Sequence, residues 1–156
     1  MSYLSGEYEC KIDAKGRIVL PARLKSNLPG PDVNNIVINR GFEPCLVIYP
    51  EAEWRKVFSR VSGLNEFNEE YRSFQRNFFR GSTDVELDAN GRFVIPPTMR
   101  KYAQLETDAI VVGMGNRMEL WAPALYEQFL TKDQKEFSKM AEKYLGDKAN
   151  DVNPST

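Results

Sequence analysis

Histidine is absent from the 156 residues, and cysteine occurs only twice, at Cys10 and Cys45. The absence of histidine removes the commonest general base, the Ser-His and Cys-His nucleophile pairs and the usual zinc sites. The two cysteines show no metal-ligand spacing, so we expect two buried free thiols. We therefore expect no catalytic residue, no metal, no cofactor and no small-molecule substrate.

Long apolar runs and an excess of positive charge are also missing. No run approaches the roughly 20 apolar residues that a membrane span needs, and the first residues lack the layout of a signal peptide. We expect a cytoplasmic protein without a membrane partner. The 21 basic and 22 acidic residues give a formal net charge of -1. This balance argues against a broad basic surface, so any binding of nucleic acid has to be local or multivalent.

One nine-residue phrase occurs twice, as DAKGRIVLP from residue 13 and as DANGRFVIP from residue 88. Alternating apolar segments flank both copies, so each copy predicts a β-hairpin. Aspartate at the first turn position and glycine at the last fit a type I turn followed by a left-handed glycine. The turn-forming residues are Asp13, Gly16, Asp88 and Gly91.

Arg17 and Arg92 follow the two turns, where the turn geometry requires no cation. In an isolated hairpin such an arginine most often forms a weak surface ion pair or is simply solvated. The duplication changes this interpretation. If the two halves fold on one another, the arginines become a pair that faces outward from equivalent hairpin tips.

The duplication extends over about 50 residues of each half and predicts a repeated hairpin, helix, hairpin, helix unit. A proline and a short helical segment follow each phrase, at Pro21 and Pro96. The predicted parts are a first repeat at 5–50, a helical connector at 51–80, a second repeat at 81–124, C-terminal helices at 125–145 and a disordered tail at 146–156.

Three further helices are predicted from apolar spacing. Thr131 with Gln134 resembles a capping box that opens the last of them. We expect these helices to pack on the repeats or on a neighbouring subunit. Their apolar faces are Trp54, Val57, Phe58, Val61 and Leu64; then Phe67, Tyr71, Phe74 and Phe78; and finally Phe137, Met140 and Tyr144.

The sequence resembles the MraZ family of bacterial regulators. The resemblance rests on two DxxxR motifs, Asp13 with Arg17 and Asp88 with Arg92, and on the segment LVIYPEAEW. The resemblance covers residues 1 to 145. It implies a mainly β, α+β fold in which two tandem SpoVT/AbrB-like repeats form one pseudo-two-fold β-barrel with flanking helices. It also implies a nucleoid-associated transcription factor that forms homo-oligomeric rings. Such a factor binds short, G-containing direct repeats in the promoter of the division and cell-wall gene cluster.

The residues themselves agree with binding to double-stranded DNA. A two-stranded β-ribbon can enter the major groove, and arginine can bond guanine O6 and N7. Lys15 in the first turn corresponds to the uncharged Asn90, and Lys11 corresponds to Glu86, so we expect the first hairpin to carry more of the electrostatic attraction. The candidate DNA-binding residues are Arg17, Arg92, Lys15, Asn90, Arg23, Lys25 and Arg100, with Lys101 a further basic neighbour.

Two other classes of function are considered. An enzyme could use Asp13 or Asp88 as a base, but hairpin tips make poor water-excluding pockets and no glycine-rich phosphate loop is present. An antitoxin-like barrel could instead bind a partner protein. A positive patch at the tips favours DNA, whereas tips neutralised by Asp13, Glu86 and Asp88 favour the protein-interaction module.

Overall fold

The computed structural model describes residues 3–146, so the predicted tail lies outside the described residues from residue 147 onward. The strands are β1 (Leu4–Lys11), β2 (Arg17–Val19), β3 (Asn35–Arg40), β4 (Leu46–Pro50), β5 (Thr83–Glu86), β6 (Arg92–Val94), β7 (Asp108–Gly115) and β8 (Met118–Trp121). The helices are α1 (Ala22–Lys25), α2 (Glu51–Ser62), α3 (Glu69–Phe79), α4 (Pro97–Tyr102), α5 (Pro123–Gln128) and α6 (Gln134–Leu145). None of these helices is long and apolar enough to cross a membrane.

The described part of the chain has eight strands, which form two antiparallel sheets, and six helices, and this confirms the expected mainly β, α+β class. The main sheet has the strand order β1-β7-β8-β4-β3-β5, and the second sheet is a ribbon of β2 and β6. Within residues 3–146, β1 and β5 are separate edges with no ladder between them, so the main sheet is not itself a closed barrel. The β2–β6 ribbon contacts both of these edge strands.

The pairing of the strands has pseudo-two-fold symmetry. In the ribbon the central pair is Ile18 with Phe93, which are equivalent positions of the two phrases. In the main sheet, β4 pairs with β8 around Val47 and Glu119. Each sheet therefore joins one repeat to the other through equivalent strands.

The hairpins predicted at the two repeated phrases are wrong in their pairing, although the turns form, whereas the predicted second hairpin of each half is confirmed as β3–β4 and as β7–β8. β1 pairs with β7 and β5 pairs with β3, while β2 and β6 pair with each other across the repeats. Only an isolated bridge between Ile12 and Ile18 links the two sides of the first turn as strands. This exchange of strand partners between the repeats places Ile18 directly opposite Phe93 in one shared core. The two side chains are 1% and 3% exposed. Burial of both side chains in that core stabilises this pairing.

The main core cluster consists of apolar side chains drawn from both repeats, and a second cluster is formed by Cys45, Ile110, Trp121 and Tyr126. β3 and β4 carry the almost continuous apolar runs NIVINR and LVIYP. Such runs are typical of strands covered on both faces, and α2 packs against both of these strands. Neither repeat encloses a core by itself.

The predicted short helices after Pro21 and Pro96 are confirmed as α1 and α4. The predicted connector helices form with shorter bounds. α2 ends at Ser62, so Leu64 lies beyond it. α3 begins at Glu69 because the side-chain oxygen of Asn68 accepts a hydrogen bond from the Tyr71 N–H at 3.1 Å, and Phe67 therefore precedes the helix.

The capping box predicted for the last helix is wrong. Asp133 is the N-cap of α6, and its carboxylate accepts a hydrogen bond from the Lys135 N–H at 3.1 Å. Aspartate satisfies a free N–H group of the first turn as well as threonine does, and it lies directly before the helix. α6 belongs to a second compact unit that begins at Glu127, and none of the residues of α6 is buried.

Candidate nucleic-acid interface

The two repeated turns have the same backbone geometry. The Gly16 N–H donates to the Asp13 carbonyl at 3.0 Å, and Gly91 does the same to Asp88 at 2.9 Å. The glycines have φ values of 80° and 77°, in the left-handed region that favours glycine. The sequence-based prediction of a four-residue turn followed by a left-handed glycine therefore agrees with this geometry.

Each turn aspartate also holds the arginine that follows it. The Oδ1 atom of Asp13 accepts from the N–H groups of Lys15 and Arg17, both at 2.9 Å, and its Oδ2 atom accepts from Arg17 Nε at 2.8 Å. Asp88 repeats this pattern with Arg92, whose Nε lies 2.8 Å from Oδ2. One carboxylate thus fixes both the turn and the guanidinium, so the D and the R of the motif are chemically linked.

This bonding sets the charge state of the aspartates and the direction of the arginines. The backbone N–H of Arg17, and after it the Arg17 side chain, lower the pKa of Asp13 below its ordinary value. Arg92 lowers the pKa of Asp88 in the same way. Each guanidinium is held through Nε. Its two Nη atoms form no hydrogen bond to any residue in the described part of the chain. These atoms are the ones that can bind a base edge in a bidentate manner.

The outward face of the β2–β6 ribbon carries both arginines. Ile18 and Phe93 point into the core, so the alternate positions of the two strands face away from it. Two valines share this outer face, and both were missed by the sequence reasoning. A usable signal was present, since valine occurs at the same position of both repeated phrases. The outer face consists of Arg17, Val19, Arg92 and Val94.

A cation from the opposite repeat lies against each turn. A Cβ atom placed on Gly16 would lie 3.1 Å from Arg100 Nη1, and one on Gly91 would lie 3.3 Å from Lys25 Cδ. Lys25 and Arg100 are equivalent positions on α1 and α4. The structure thus brings these two candidates to the turns. Arg23 is exposed on α1.

The two turns carry unequal charge. Asn90 is neutral where Lys15 is charged, so the first turn has three cations against one carboxylate and the second has two against one. The predicted contribution of Lys11 is reduced, because this lysine forms an ion pair with Asp108. The charged groups are Lys15, Arg17, Arg100 and Asp13 at the first turn, and Lys25, Arg92 and Asp88 at the second.

A second polar cluster lies where β4 begins, beside β8. The ligand atoms of Glu43, Cys45 and Glu119 are all within 4.8 Å of one another. Burial, and after it the two carboxylates, raise the pKa of Cys45 to about 12, so the thiol stays protonated at neutral pH. Cys45 is fully buried as predicted, whereas Cys10 is only partly buried. A protonated, buried thiol is typical of a core side chain.

The fold and the turns define a protein of two tandem β-repeats that share one core and present two arginine turns beside a common ribbon. The model of the MraZ family, described as "MraZ protein, putative antitoxin-like", matches residues 3–77 and again residues 78–148. The chain belongs to this family.

Two relatives are similar along nearly the whole chain. A protein of Cytophaga hutchinsonii named "Transcriptional regulator MraZ" is 61% identical over 145 residues, which are 93% of this chain and 96% of the relative. A protein of Christiangramia forsetii with the same name is 38% identical over 147 residues, 94% of this chain and 95% of the relative.

Proposed function

We propose that this protein is a transcriptional regulator that binds double-stranded DNA through the outer face of the β2–β6 ribbon. The observation that carries the proposal is the pair of aspartate-braced arginines on that face. The names of the two relatives support a role in transcription. Both guanidinium groups are held at Nε, so they are oriented before DNA arrives and lose little freedom when they bind.

The geometry of the ribbon suits a short, G-containing site. Arg17 pairs with Val94, and Arg92 lies two residues before Val94 on β6, so the two arginines are diagonal neighbours. Diagonal positions in an antiparallel pair are roughly 7–8 Å apart. Base pairs are about 3.4 Å apart, so the arginine Cα atoms are separated by about two base-pair steps. Each bidentate contact with guanine contributes about 1–3 kcal/mol of discrimination.

The unequal turns favour one orientation on DNA. A face with perfect two-fold symmetry would bind equally well in either direction along the duplex. The additional cation at the first turn breaks that symmetry, so each protomer approaches a site in a single direction. Repeated sites read in this way are direct repeats, as the family resemblance implies for the promoter of the division and cell-wall gene cluster. Lys15, Lys25 and Arg100 supply phosphate contacts.

Oligomerisation is part of the proposal, because a chain with a net charge of -1 gains little from counterion release. A ring that presents several ribbons to regularly spaced sites gains avidity through effective concentration. It can also associate with the nucleoid as a multivalent assembly.

A groove of about 450 Å³ offers a surface that a second copy of the chain could contact. It is lined by Phe42, Phe74, Phe78 and Arg40, and Phe42 is 82% exposed. The Arg40 Nε atom is buried, and no acceptor is present for it among the described residues. We propose that a second copy of the chain covers the exposed aromatic side chains of this groove.

The charge at the turns favours DNA over a protein-interaction module. At the first turn Lys15, Arg17 and Arg100 exceed the single carboxylate of Asp13. At the second turn Arg92 and Lys25 are matched by Asp88 and the exposed Glu86, so the positive balance that favours DNA lies at the first turn. This outcome is the one expected for a surface that meets phosphate.

Arg17→Ala and Arg92→Ala test the proposal in a gel-shift titration against the promoter upstream of the gene itself. We expect each variant to weaken specific binding by at least about fivefold, with the larger loss for Arg17. Arg55→Ala is the matched control, since Arg55 is an exposed arginine that is paired with Glu51 on α2. Wild-type affinity in both ribbon variants contradicts the proposal. Equal losses, or a larger loss for Arg92, contradict only the unequal roles of the turns.

A further inference from the structure

Val19 and Val94 are half-exposed on the same face as the two arginines, at 51% and 50%. The core does not require them, because Ile18 and Phe93 are the residues of the ribbon that fill it. Each valine lies directly across the ribbon from an arginine, Val19 from Arg92 and Val94 from Arg17. The outer face therefore alternates a cation with a branched apolar side chain in both directions.

This alternation matches what base pairs present in the major groove. Guanine offers two acceptors for arginine, and thymine offers the C5-methyl group, which is an apolar contact for a side chain. Two residues along a strand span about 6.8 Å, which corresponds to about two base-pair steps. A valine beside an arginine can therefore contact a thymine within about two base pairs of the guanine that the arginine binds.

The charges around Val19 favour contact with DNA bases over wider contact with the phosphate backbone. An open groove beside Val19 is lined by Glu7, Glu9 and Lys11 on β1, and the charge of Lys11 is offset by its ion pair with Asp108. Carboxylates repel phosphate, so DNA contact on this side is confined to the ribbon itself. Val94 is equivalent by symmetry, and its neighbouring edge strand β5 carries the exposed Asp84 and Glu86.

We propose that Val19 and Val94 are specificity-determining residues that contact thymine methyl groups beside the guanines bound by Arg17 and Arg92. This inference rests on the proposed function and adds a second base type to the recognition. The methyl group is the only apolar difference between thymine and uracil, so the contact can be removed from the DNA as well as from the protein.

The test combines variants of the protein with variants of the DNA. Promoter fragments carry deoxyuridine in place of single thymines within about two base pairs of each guanine, and dissociation constants are measured by fluorescence anisotropy. We expect a loss of about fourfold on replacing the relevant thymine, as for one buried methyl group. Val19→Ala or Val94→Ala should weaken binding to thymine DNA by a similar factor, and should have little further effect on the matching uracil DNA.

Val33→Ala is the matched control, because Val33 is an exposed valine outside the ribbon, at 38%. Thermal melting checks that each variant is folded. If the wild type binds thymine and uracil fragments equally, or if the valine variants lose the same affinity on both, the thymine contact is wrong while the arginine proposal stands. If the wild type does not bind the promoter, or if the arginine variants bind it as well as the wild type does, the proposed function fails and this inference fails with it.

Discussion

At the scale of single residues, the aspartate of each DxxxR motif is the group on which the candidate site depends. Its Oδ1 atom accepts hydrogen bonds from the turn backbone, and its Oδ2 atom accepts from the arginine Nε at 2.8 Å in both repeats. The sequence reasoning assigned the aspartates to turn formation and the arginines to DNA, and the structure links these two roles through a single carboxylate. The turn aspartate therefore fixes the orientation of the arginine that follows the turn.

Asp13→Asn and Asp88→Asn separate the two roles. Asparagine keeps an Oδ1 acceptor for the backbone but loses the charged acceptor for Nε. We expect about a tenfold weaker affinity for promoter DNA in each variant, because the guanidinium loses its brace. A double-mutant cycle by anisotropy checks this. Asp13→Asn should change little in an Arg17→Ala background, and full additivity of the two substitutions would show that the aspartate does not act through the arginine.

The lowered pKa of Asp13 and Asp88 predicts how stability depends on pH. The unfolded chain takes up protons near the ordinary value of 3.8, before the native carboxylates do. The two aspartates therefore stabilise the fold above that value, and this contribution is lost as pH falls through their lowered native pKa. Wild-type stability should fall more steeply below about pH 3.8 than that of the Asp13→Asn, Asp88→Asn double variant. Urea unfolding between about pH 7 and pH 2.5 measures this, and parallel curves would contradict it.

At the scale of elements, the exchange of β2 and β6 is what brings the two arginines together. In two local hairpins each arginine would belong to a separate tip. Across the ribbon they become diagonal neighbours on one face, with Ile18 and Phe93 beneath them. The same exchange brings Arg100 to the first turn and Lys25 to the second. Each candidate binding surface is therefore built from both repeats.

This exchange predicts that neither repeat is a folded monomer by itself. β2 finds its ladder partner only in β6, and β4 pairs with β8, so each half lacks strands that the other supplies. We expect fragments 1–80 and 81–156 to show no cooperative unfolding as monomers and to regain it when mixed at equal amounts. Circular dichroism and analytical ultracentrifugation measure this, with the intact chain as control. A folded, monomeric half would show that the exchange is not required.

At the scale of the whole molecule, net charge and exposed aromatic surface both favour assembly. In the proposed function, a chain with a net charge of -1 places few cations on DNA, so we expect tight binding to require several copies. Phe42 and Phe74 border the groove at Arg40, and both are exposed. Exposed aromatic side chains grouped around a groove are typical of a surface that another chain covers.

Phe42→Glu tests the role of the groove. A charge on this exposed ring should oppose contact between copies while leaving the core unchanged, because Phe42 is 82% exposed. We expect a lower molar mass by light scattering, and about a hundredfold weaker binding to DNA with several sites, with little change on a single site. Ser73→Glu places a charge at an exposed position of α3 and is the control. An unchanged mass for Phe42→Glu would exclude the groove as the contact.

Most of the candidate site could be predicted from the sequence because its chemistry is local. The Asp and Gly positions determine the turn, and the repeated arginines mark the candidate binding residues. The capping and boundary errors are also local: Asp133 was overlooked in favour of Thr131, and Asn68 stops the helical pattern before Phe67 is reached. Neighbouring residues decide these features, so spacing and residue type are informative.

What the sequence determined by itself is the duplication, the turns and the identity of the arginines, since each depends on residues close together in the chain. The tertiary structure alone decided that β2 pairs with β6 and that Val19 and Val94 share one face with the arginines. It also decided that Arg100 and Lys25 each lie against the turn of the opposite repeat. The reason is that a three-residue strand can pair with any complementary edge. Only the burial of Ile18 against Phe93 in a shared core selects the partner.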